Sequence, residues 1–367
     1  MKVLHVSGSK SWGGNEQQLL DLAIGLKKLN VECFILCIAN STLYNKLVSH
    51  GFKCYTLPSK KMLYLNFAKC LKQIVKQLNP NVIHLHTSNS VTLFVIADLL
   101  LKIKTPAIFT KKGISGKMSF LSLFKYNYKD INKIICVSKA VEVALKNVLK
   151  PKNHHKLCVV YDGIKTERSV SKNSIDLRKE FNISKDSILV GNIANHSNAK
   201  DLSTFVKTAD ILINDLGVNN VHFIQIGREG KNTETFKPLI KEYGLEAFFT
   251  CTGFLENAMD LLPQLDVFLM TSEREGLPLT IYEAFLNKVP VVSTKAGGIP
   301  EAIEHDFNGL LSEVKDANNL ALNLKDLIGN PQKRKVFVER SYNLLFENFT
   351  ADQCAVNTLK IYEEAVN

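Results

Sequence analysis

Met1-Lys-Val-Leu-His-Val-Ser-Gly8, Glu16-Gln-Gln-Leu-Leu-Asp-Leu-Ala-Ile-Gly-Leu-Lys-Lys-Leu29 and Cys33-Phe-Ile-Leu-Cys37 follow one another at the start of the chain. The first is a short β-rich run closed by glycine. In the second, apolar residues at 19, 20, 22, 23, 26 and 29 keep the 3.6 period of a helix packed along one side. The third is a compact apolar run of strand length. Strand, helix, strand with a crossover of this size is the unit of a parallel sheet covered by helices on both faces.

The same alternation continues outward. Strands are predicted at 2–7, 32–38, 81–86, 106–110 and 133–137, with helical patterns between them. After Val159-Val-Tyr-Asp-Gly-Ile164 comes a polar stretch, Lys165-Thr-Glu-Arg-Ser-Val-Ser-Lys-Asn-Ser174, read as a linker. A second series of strands follows at 188–193, 221–226, 247–251, 266–270 and 289–293. The expected organisation is therefore α/β, with two Rossmann-like doubly wound parallel-sheet domains at 1–165 and 166–349. Their ligand-binding loops are expected to face a central cleft, because open α/β sheets bind ligands outside the carboxyl ends of their strands. Thr350-Ala-Asp-Gln353 has the form of a capping box and opens a final helix over about 350–367, which is expected to pack back on the first domain.

Composition narrows the class. A chain of 367 residues, 46% hydrophobic and 22% charged with only 19 Gly and 10 Pro, is neither disordered nor collagenous, and no repeat is visible. Its longest apolar run, residues 91–101, is too short to span ~30 Å of hydrocarbon and carries Asp98. The amino terminus lacks the long apolar stretch of a secretory signal. The eight cysteines form no C-x-x-C pair and sit largely in apolar runs, so they read as reduced core residues of a cytoplasmic protein. Charge is distributed unevenly: residues 1–165 hold 25 Lys, no Arg and seven acids, a net +18, while the rest of the chain is −7. Such a field attracts polyanions, whether nucleic acid, an anionic membrane surface or phosphorylated substrates.

Several strand-to-helix loops carry chemistry. Gly8-Ser-Lys-Ser-Trp-Gly13-Gly14-Asn15-Glu16 lacks both the lysine of a Walker A loop and the spacing of a dinucleotide fingerprint. It leaves Gly13 and Gly14 before a helix, where backbone N–H groups can approach an anion. In Phe268-Leu-Met-Thr-Ser-Glu-Arg-Glu275-Gly276-Leu277-Pro-Leu279-Thr280-Ile-Tyr-Glu283-Ala-Phe, Pro278 is expected in the first helical turn, Glu275 in the loop and Glu283 in the helix. One carboxylate can accept bonds from two sugar hydroxyls and the other from a ribose, with the amides of Leu279 and Thr280 between them for a diphosphate. Val289-Pro-Val-Val-Ser-Thr-Lys-Ala-Gly297-Gly298-Ile-Pro300-Glu301 gives another anion-friendly turn. The loop after 188–193 contributes Asn192, His196 and Lys200, of which the lysine can neutralise a departing phosphate.

Gly13-Gly14, Lys200, Glu275-x7-Glu283 and Gly-Gly-x-Pro-Glu at 297–301 occur in that order. Pro80-Asn-Val-Ile-His-Leu-His86, Ile135-Cys-Val-Ser138 and Tyr161-Asp-Gly-Ile164 lie among them. This set resembles the retaining nucleotide-sugar glycosyltransferases of family 4 (glycosyl transferases group 1), which have the two-domain GT-B fold. The resemblance implies that Glu275 holds the sugar hydroxyls of the donor, Glu283 the ribose, Lys200 the diphosphate and the Gly14 amide the β-phosphate region. Gly276, Leu277, Leu279 and Thr280 complete the donor-binding candidates. Two departures stand out. Where many members carry Arg after the glycine of the second domain's first strand, this chain has Asn192, and where many place His in a first-domain loop it reads Phe109-Thr-Lys111-Lys112-Gly113. His86, Lys111, Lys112 and His196 are further candidates.

The expected activity is hexosyl transfer from a nucleotide diphosphate sugar, UDP favoured over GDP, to a saccharide or lipid-linked acceptor in bacterial polysaccharide or glycolipid synthesis. No cofactor is expected. With no Asp-x-Asp in a plausible place and no His/Cys ligand cluster visible, no metal is expected either. The alternatives are a GT-B nucleotide-sugar epimerase or a non-catalytic binder. A nucleic-acid-binding protein is disfavoured by the absence of Arg from the basic half. Residues 114–129 interleave Met118, Phe120, Leu121, Leu123, Phe124 and two Tyr with Lys117, Lys125 and Lys129. That is the composition of an interfacial segment, or of a core helix whose lysines face solvent.

Overall fold

The computed structural model describes residues 1–57, 64–114, 119–167 and 175–366. The chain divides into two compact units, Met1–Lys165 with Phe349–Asn367, and Thr166–Asn348.

In the first unit the strands β1 (Lys2–Val6), β2 (Glu32–Ile38), β3 (Lys53–Leu57), β4 (Val82–Leu85), β5 (Ala107–Lys111), β6 (Ile131–Cys136) and β7 (Leu157–Val159) form one parallel sheet. Their order is β3-β2-β1-β4-β5-β6-β7. Helices α1 (Gly14–Lys28), α2 (Thr42–Ser49), α3 (Tyr64–Leu78), α4 (Ser88–Leu101), α5 (Phe120–Tyr126) and α6 (Lys139–Lys146) follow the strands. Strand residues alternate between two apolar layers: Val3, Ile35 and Cys37 pack with Leu19, Leu26 and Leu47, while Leu4, Leu36 and Val6 pack with Phe67, Leu71 and Phe94. A period of two on strands buried on both faces explains why they read as continuous apolar runs.

The second unit repeats the plan. Strands β8 (Ile188–Ile193), β9 (Val221–Ile226), β10 (Phe249–Gly253), β11 (Val267–Met270), β12 (Val291–Thr294) and β13 (Leu310–Ser312) are ordered β10-β9-β8-β11-β12-β13. Helices α7 (Leu177–Glu180), α8 (Leu202–Asp210), α9 (Thr233–Glu242), α10 (Leu279–Leu286), α11 (Ala317–Gly329) and α12 (Pro331–Asn348) accompany them. In each unit the winding reverses beside the first strand, between β1 and β4 and between β8 and β11. At such switch points adjacent loops splay apart and leave a crevice.

The last helix, α13 (Ala351–Val366), returns to the first unit. Ile164 and Thr350 form a bridge, and Gly163 lies so close to Thr350 that a Cβ there would sit 2.1 Å from its carbonyl oxygen. On α13, Tyr362 is buried and its hydroxyl lies 2.6 Å from His84 Nδ1, while Asp352 pairs with Lys28 of α1.

Differences from the sequence reading have local causes. β3, β7 and β13 are absent from it because the latter two are only three residues long and β3 is a partly exposed edge with no long apolar run. β12 starts at Val291 rather than 289, since Pro290 has no N–H to give a ladder. Pro278 sits at the cap of α10 with extended backbone (φ −76°, ψ 131°), not in its first turn. Only half of the capping box forms: Thr350 Oγ1 accepts from the Gln353 N–H, but the Gln353 amide turns to Asn357. All eight cysteines are free thiols, four of them buried. Residues 168–174 of the linker and 115–118 of the interfacial segment, including Lys117 and Met118, lie outside the described residues. Among the described residues no helix is long and apolar enough to cross a membrane.

Candidate active site

The switch point of the second unit assembles the residues singled out after β8 and β11. Asn198–Lys200 forms a 3₁₀ turn leading into Asp201, whose carboxylate caps α8 through the Thr204 N–H and hydroxyl. The neighbouring loop is fastened to this turn: the Glu273 N–H donates to Ala199 O at 2.8 Å, and the Thr271 hydroxyl lies 3.2 and 3.0 Å from the carbonyls of Lys200 and Asp201. With both backbones fixed, Lys200 Nζ reaches Glu275 Oε1 at 2.6 Å. The two residues expected to serve phosphate and sugar separately are thus ion-paired to each other. An ammonium has three donors and a carboxylate about four acceptor positions, so the pair leaves groups on both partners for a ligand.

The loop after β12 braces the same segment from the other side. The Thr294 hydroxyl donates to Ser272 O at 2.6 Å and the Gly298 N–H to Gly276 O at 2.9 Å. Gly297 has a left-handed backbone (φ 57°), and a Cβ there would lie 1.9 Å from Glu275 O. The Gly297-Gly298 pair is therefore a seat for Glu275. A Gly297→Ala variant is expected to push Glu275 out of register and lower turnover about tenfold, since small misplacements of reacting groups are costly. Gly329→Ala, at a site with nothing within 4 Å, serves as the control, and steady-state rates at matched folding report the difference.

Beyond Glu275, Gly276, Leu277 and Pro278 are buried and lead into α10, whose first N–H groups at Leu279 and Thr280 precede any intrahelical acceptor. The Thr280 hydroxyl is buried and has no hydrogen-bond partner among the described residues. Glu283 lies one turn further on and is buried, where a surface helix acid would be exposed.

Two candidates from the same unit lie elsewhere. Asn192 is buried in β8; its amide donates to Leu269 O at 2.8 Å, and its Oδ1 has no partner among the described residues. His196 is buried, with Nε2 2.8 Å from Gln225 Oε1 and Nδ1 2.8 Å from the Thr233 hydroxyl. Because the Gln225 amide donates to Ala194 O and the Gly230 N–H donates to Thr233 Oγ1, a proton on Nε2 completes every bond in this chain. The sequence reading missed Arg228, which stacks 4.7 Å over the exposed ring of Phe254 at the ends of β9 and β10. An aromatic directly after Gly253 was the available signal.

In the first unit Gly13 caps α1 with fully extended backbone and accepts from the Glu16 and Gln17 N–H groups. Gly14 is the first helical residue, and the buried Glu16 carboxylate lies in the same turn, where it complements the helix dipole. Lys111 ends β5 half-buried, and burial lowers its pKa. Lys112 is ion-paired with Asp162 beside a small cavity lined also by Gln18, His86 and Thr110.

The expectation that no histidine cluster exists is corrected here. His5 and His84 are register partners on β1 and β4, and with His86 they form a buried trio whose ring nitrogens come within 4.8 Å. His5 Nδ1 lies 2.9 Å from His86 Nε2, and His84 is held by the Tyr362 and Thr110 hydroxyls at 2.6 Å each. Burial is the main cause that lowers all three pKa values, with Lys112 adding to the effect on His84 and His86.

Comparison with known proteins assigns the class. The family described as Glycosyl transferases group 1 matches residues 173–344, and Glycosyltransferase Family 4 matches residues 12–168. The chain belongs to the family 4 glycosyltransferases with the GT-B fold. Among its relatives is the N-acetyl-alpha-D-glucosaminyl L-malate synthase of Bacillus anthracis, 22% identical over 82% of this chain and 79% of the relative. The O-antigen biosynthesis glycosyltransferase WclY of Escherichia coli is 23% identical over 99% and 98%. The Anabaena protein Alr3699/HepE, solved in complex with UDP-glucose, superposes with a TM-score of 0.83 at 20% identity, covering 99% of this chain and all of that one.

Proposed function

We propose that the chain transfers a hexosyl unit from a nucleotide diphosphate sugar, UDP in preference to GDP, to a saccharide or lipid-linked acceptor, with retention at the anomeric carbon. The reaction would serve assembly of a bacterial polysaccharide or glycolipid from the cytoplasmic side. WclY, named for O-antigen biosynthesis, and the UDP-glucose complex of the Anabaena protein support this reading. The observation that carries it is the Lys200–Glu275 pair at the switch point, next to the open end of α10 and the buried Glu283.

In this reading the free oxygen of Glu275 accepts from donor-sugar hydroxyls. The remaining Lys200 donors and the Leu279 and Thr280 amides meet the diphosphate, and Glu283 accepts from the ribose. The bond between anomeric carbon and phosphate oxygen breaks as the acceptor oxygen bonds to the same face of that carbon. The acceptor's proton passes to the leaving phosphate, so no separate base is needed.

Thermal shift with a panel of UDP- and GDP-sugars tests the donor, because a ligand that binds only the folded state raises the midpoint. Nucleotide release only when acceptor is present, and an α-configured product from an α-donor by NMR, are the expected outcomes. Glu283→Ala is expected to weaken UDP binding about tenfold or more, the cost of losing charge-assisted bonds to two hydroxyls. Calorimetric affinity within twofold of wild type removes Glu283 from the ribose.

A further inference from the structure

Helix α5 is assembled inside out. It carries Phe120, Leu121 and Phe124 at 81%, 75% and 50% exposure, while Lys125 is buried. The lysine amine is held by the Ser88 carbonyl and hydroxyl at 3.0 and 2.6 Å and by the Thr92 hydroxyl at 3.1 Å. Tyr126 is buried too, stacked nearly parallel on Phe109 with its hydroxyl 3.2 Å from Ser88 Oγ. The helix is thus fastened to α4 and β5 by polar and aromatic contacts on one side, and Phe120, Leu121 and Phe124 point to solvent while Leu123 is half-buried. This is the reverse of a core helix whose lysines face water, and a contiguous exposed apolar patch marks a surface that something else covers.

The surroundings of the patch identify what. Asn127, the residue that caps α5 at its carboxyl end, accepts from the Lys150 N–H at 2.8 Å and from the Asn153 amide at 2.9 Å. That places the exposed Lys150 and Lys152 beside the end of α5, together with Lys129, whose side chain is 84% exposed. The partly buried Asp130 is the acid at this rim. Behind it stands the net +18 of residues 1–165, to which residues 349–367 return one lysine and three acids. A field of that sign repels a second copy of the same face and attracts an anionic surface that also offers hydrocarbon. We propose that Phe120, Leu121 and Phe124, rimmed by Lys129, Lys150 and Lys152, form a docking face for an anionic lipid bilayer. The phenyl and leucyl groups enter the acyl boundary and the lysines meet headgroup phosphates. The face requires no sugar donor, so its test is independent of the reaction proposed above.

The test is co-sedimentation of the full chain with phosphatidylcholine vesicles, with and without phosphatidylglycerol, at low and high salt. Binding is expected only when phosphatidylglycerol is present and is expected to fall with salt. The Phe120→Ser/Leu121→Ser/Phe124→Ser variant is expected to bind about tenfold more weakly while keeping its melting midpoint, since all three residues are exposed. Lys129→Glu/Lys150→Glu/Lys152→Glu should flatten the salt dependence. Equal binding to neutral vesicles, or wild-type binding by the triple serine variant, overturns the proposal. A concentration-dependent dimer that disappears in the serine variant overturns it in favour of a second copy of the chain. UDP-sugar binding by the serine variant is expected to be unchanged, which separates this outcome from failure of the catalytic reading.

Discussion

Replacing Lys200 by Ala is expected to cut turnover by 10² to 10³, roughly 3 to 4 kcal/mol, the usual loss when one preorganised charge-stabilising group is removed. The 2.6 Å bond to Glu275 sharpens this expectation. In the proposed reading Lys200→Ala removes a phosphate partner and also releases the carboxylate that would orient the sugar, so both nucleotide affinity and turnover are expected to fall. Glu275→Ala would remove the proposed sugar contact, with an expected turnover loss of at least about 10² from lost orientation. It leaves all three Lys200 donors to the diphosphate, so UDP affinity stays level or rises. The two variants therefore move affinity in opposite directions while both abolish most transfer. Because the residues share a bond, their effects on turnover are not additive, and the double variant is expected to be little slower than the worse single one. Single-turnover rates with calorimetric UDP affinities check the cycle. A Lys200→Ala loss below about fivefold removes the lysine from the phosphate site, and fully multiplicative effects remove the pairing from the mechanism.

That this pair exists was not readable from the chain. Lys200 and Glu275 are 75 residues apart, and what joins them is the strand order, which sets β8 beside β11 and makes their loops neighbours. Periodicity identified the two parallel sheets and the loops worth watching, because burial on both faces writes itself as apolar runs. It carries no information on which strands are adjacent. The same limit hid the histidine trio, since His5 and His84 meet only through the β1–β4 register. Gly297 was visible as part of a glycine turn, but its left-handed backbone and its contact with Glu275 O depend on the path of another loop. Side-chain direction failed in a different way. The run from Phe120 to Tyr128 holds six apolar or aromatic residues around the single basic Lys125, and hydrogen bonds to Ser88 and Thr92, not hydropathy, decide that Lys125 turns inward. Asn192 was read as the place of a missing cation; in the structure it fastens β8 to β11, and Lys200 is the lysine of the loop that follows.

The trio also makes the first unit acid-sensitive. Burial pushes His5 down to about 3, and His84 and His86 are held well below the ordinary 6.5 by burial and by charge from the neighbouring rings and Lys112. Lys112 is tied to Asp162, and the other titratable neighbours, Tyr362 and Cys354, are buried groups whose pKa values are raised. A histidine with a depressed folded pKa leaves stability untouched above about 6.5, where neither state binds the proton. Below that the unfolded chain takes it up and the folded chain does not, so stability falls as pH falls toward about 3. His5 contributes about 1.4 kcal/mol per pH unit once its unfolded form is charged, hence about 2 kcal/mol by pH 5, and His84 and His86 act in the same direction. Set against a total of about 5 to 15 kcal/mol, that is a large share. Asp130, whose carboxyl is raised by burial and by Asp98, works in the opposite sense, but it is one group against three. The measurement must see the first unit alone, because His222 on β9 is also lowered, to about 4, and two units need not unfold together. Trp12, the only tryptophan, lies in the first unit and supplies that signal in urea titrations. Wild type is expected to lose stability between pH 7 and 5, and His5→Phe to lose about 2 kcal/mol less over the same interval. A purely structural defect would lower both ends equally, so an unchanged difference between the two pH values for His5→Phe would show that the buried ring takes no part in the proton linkage.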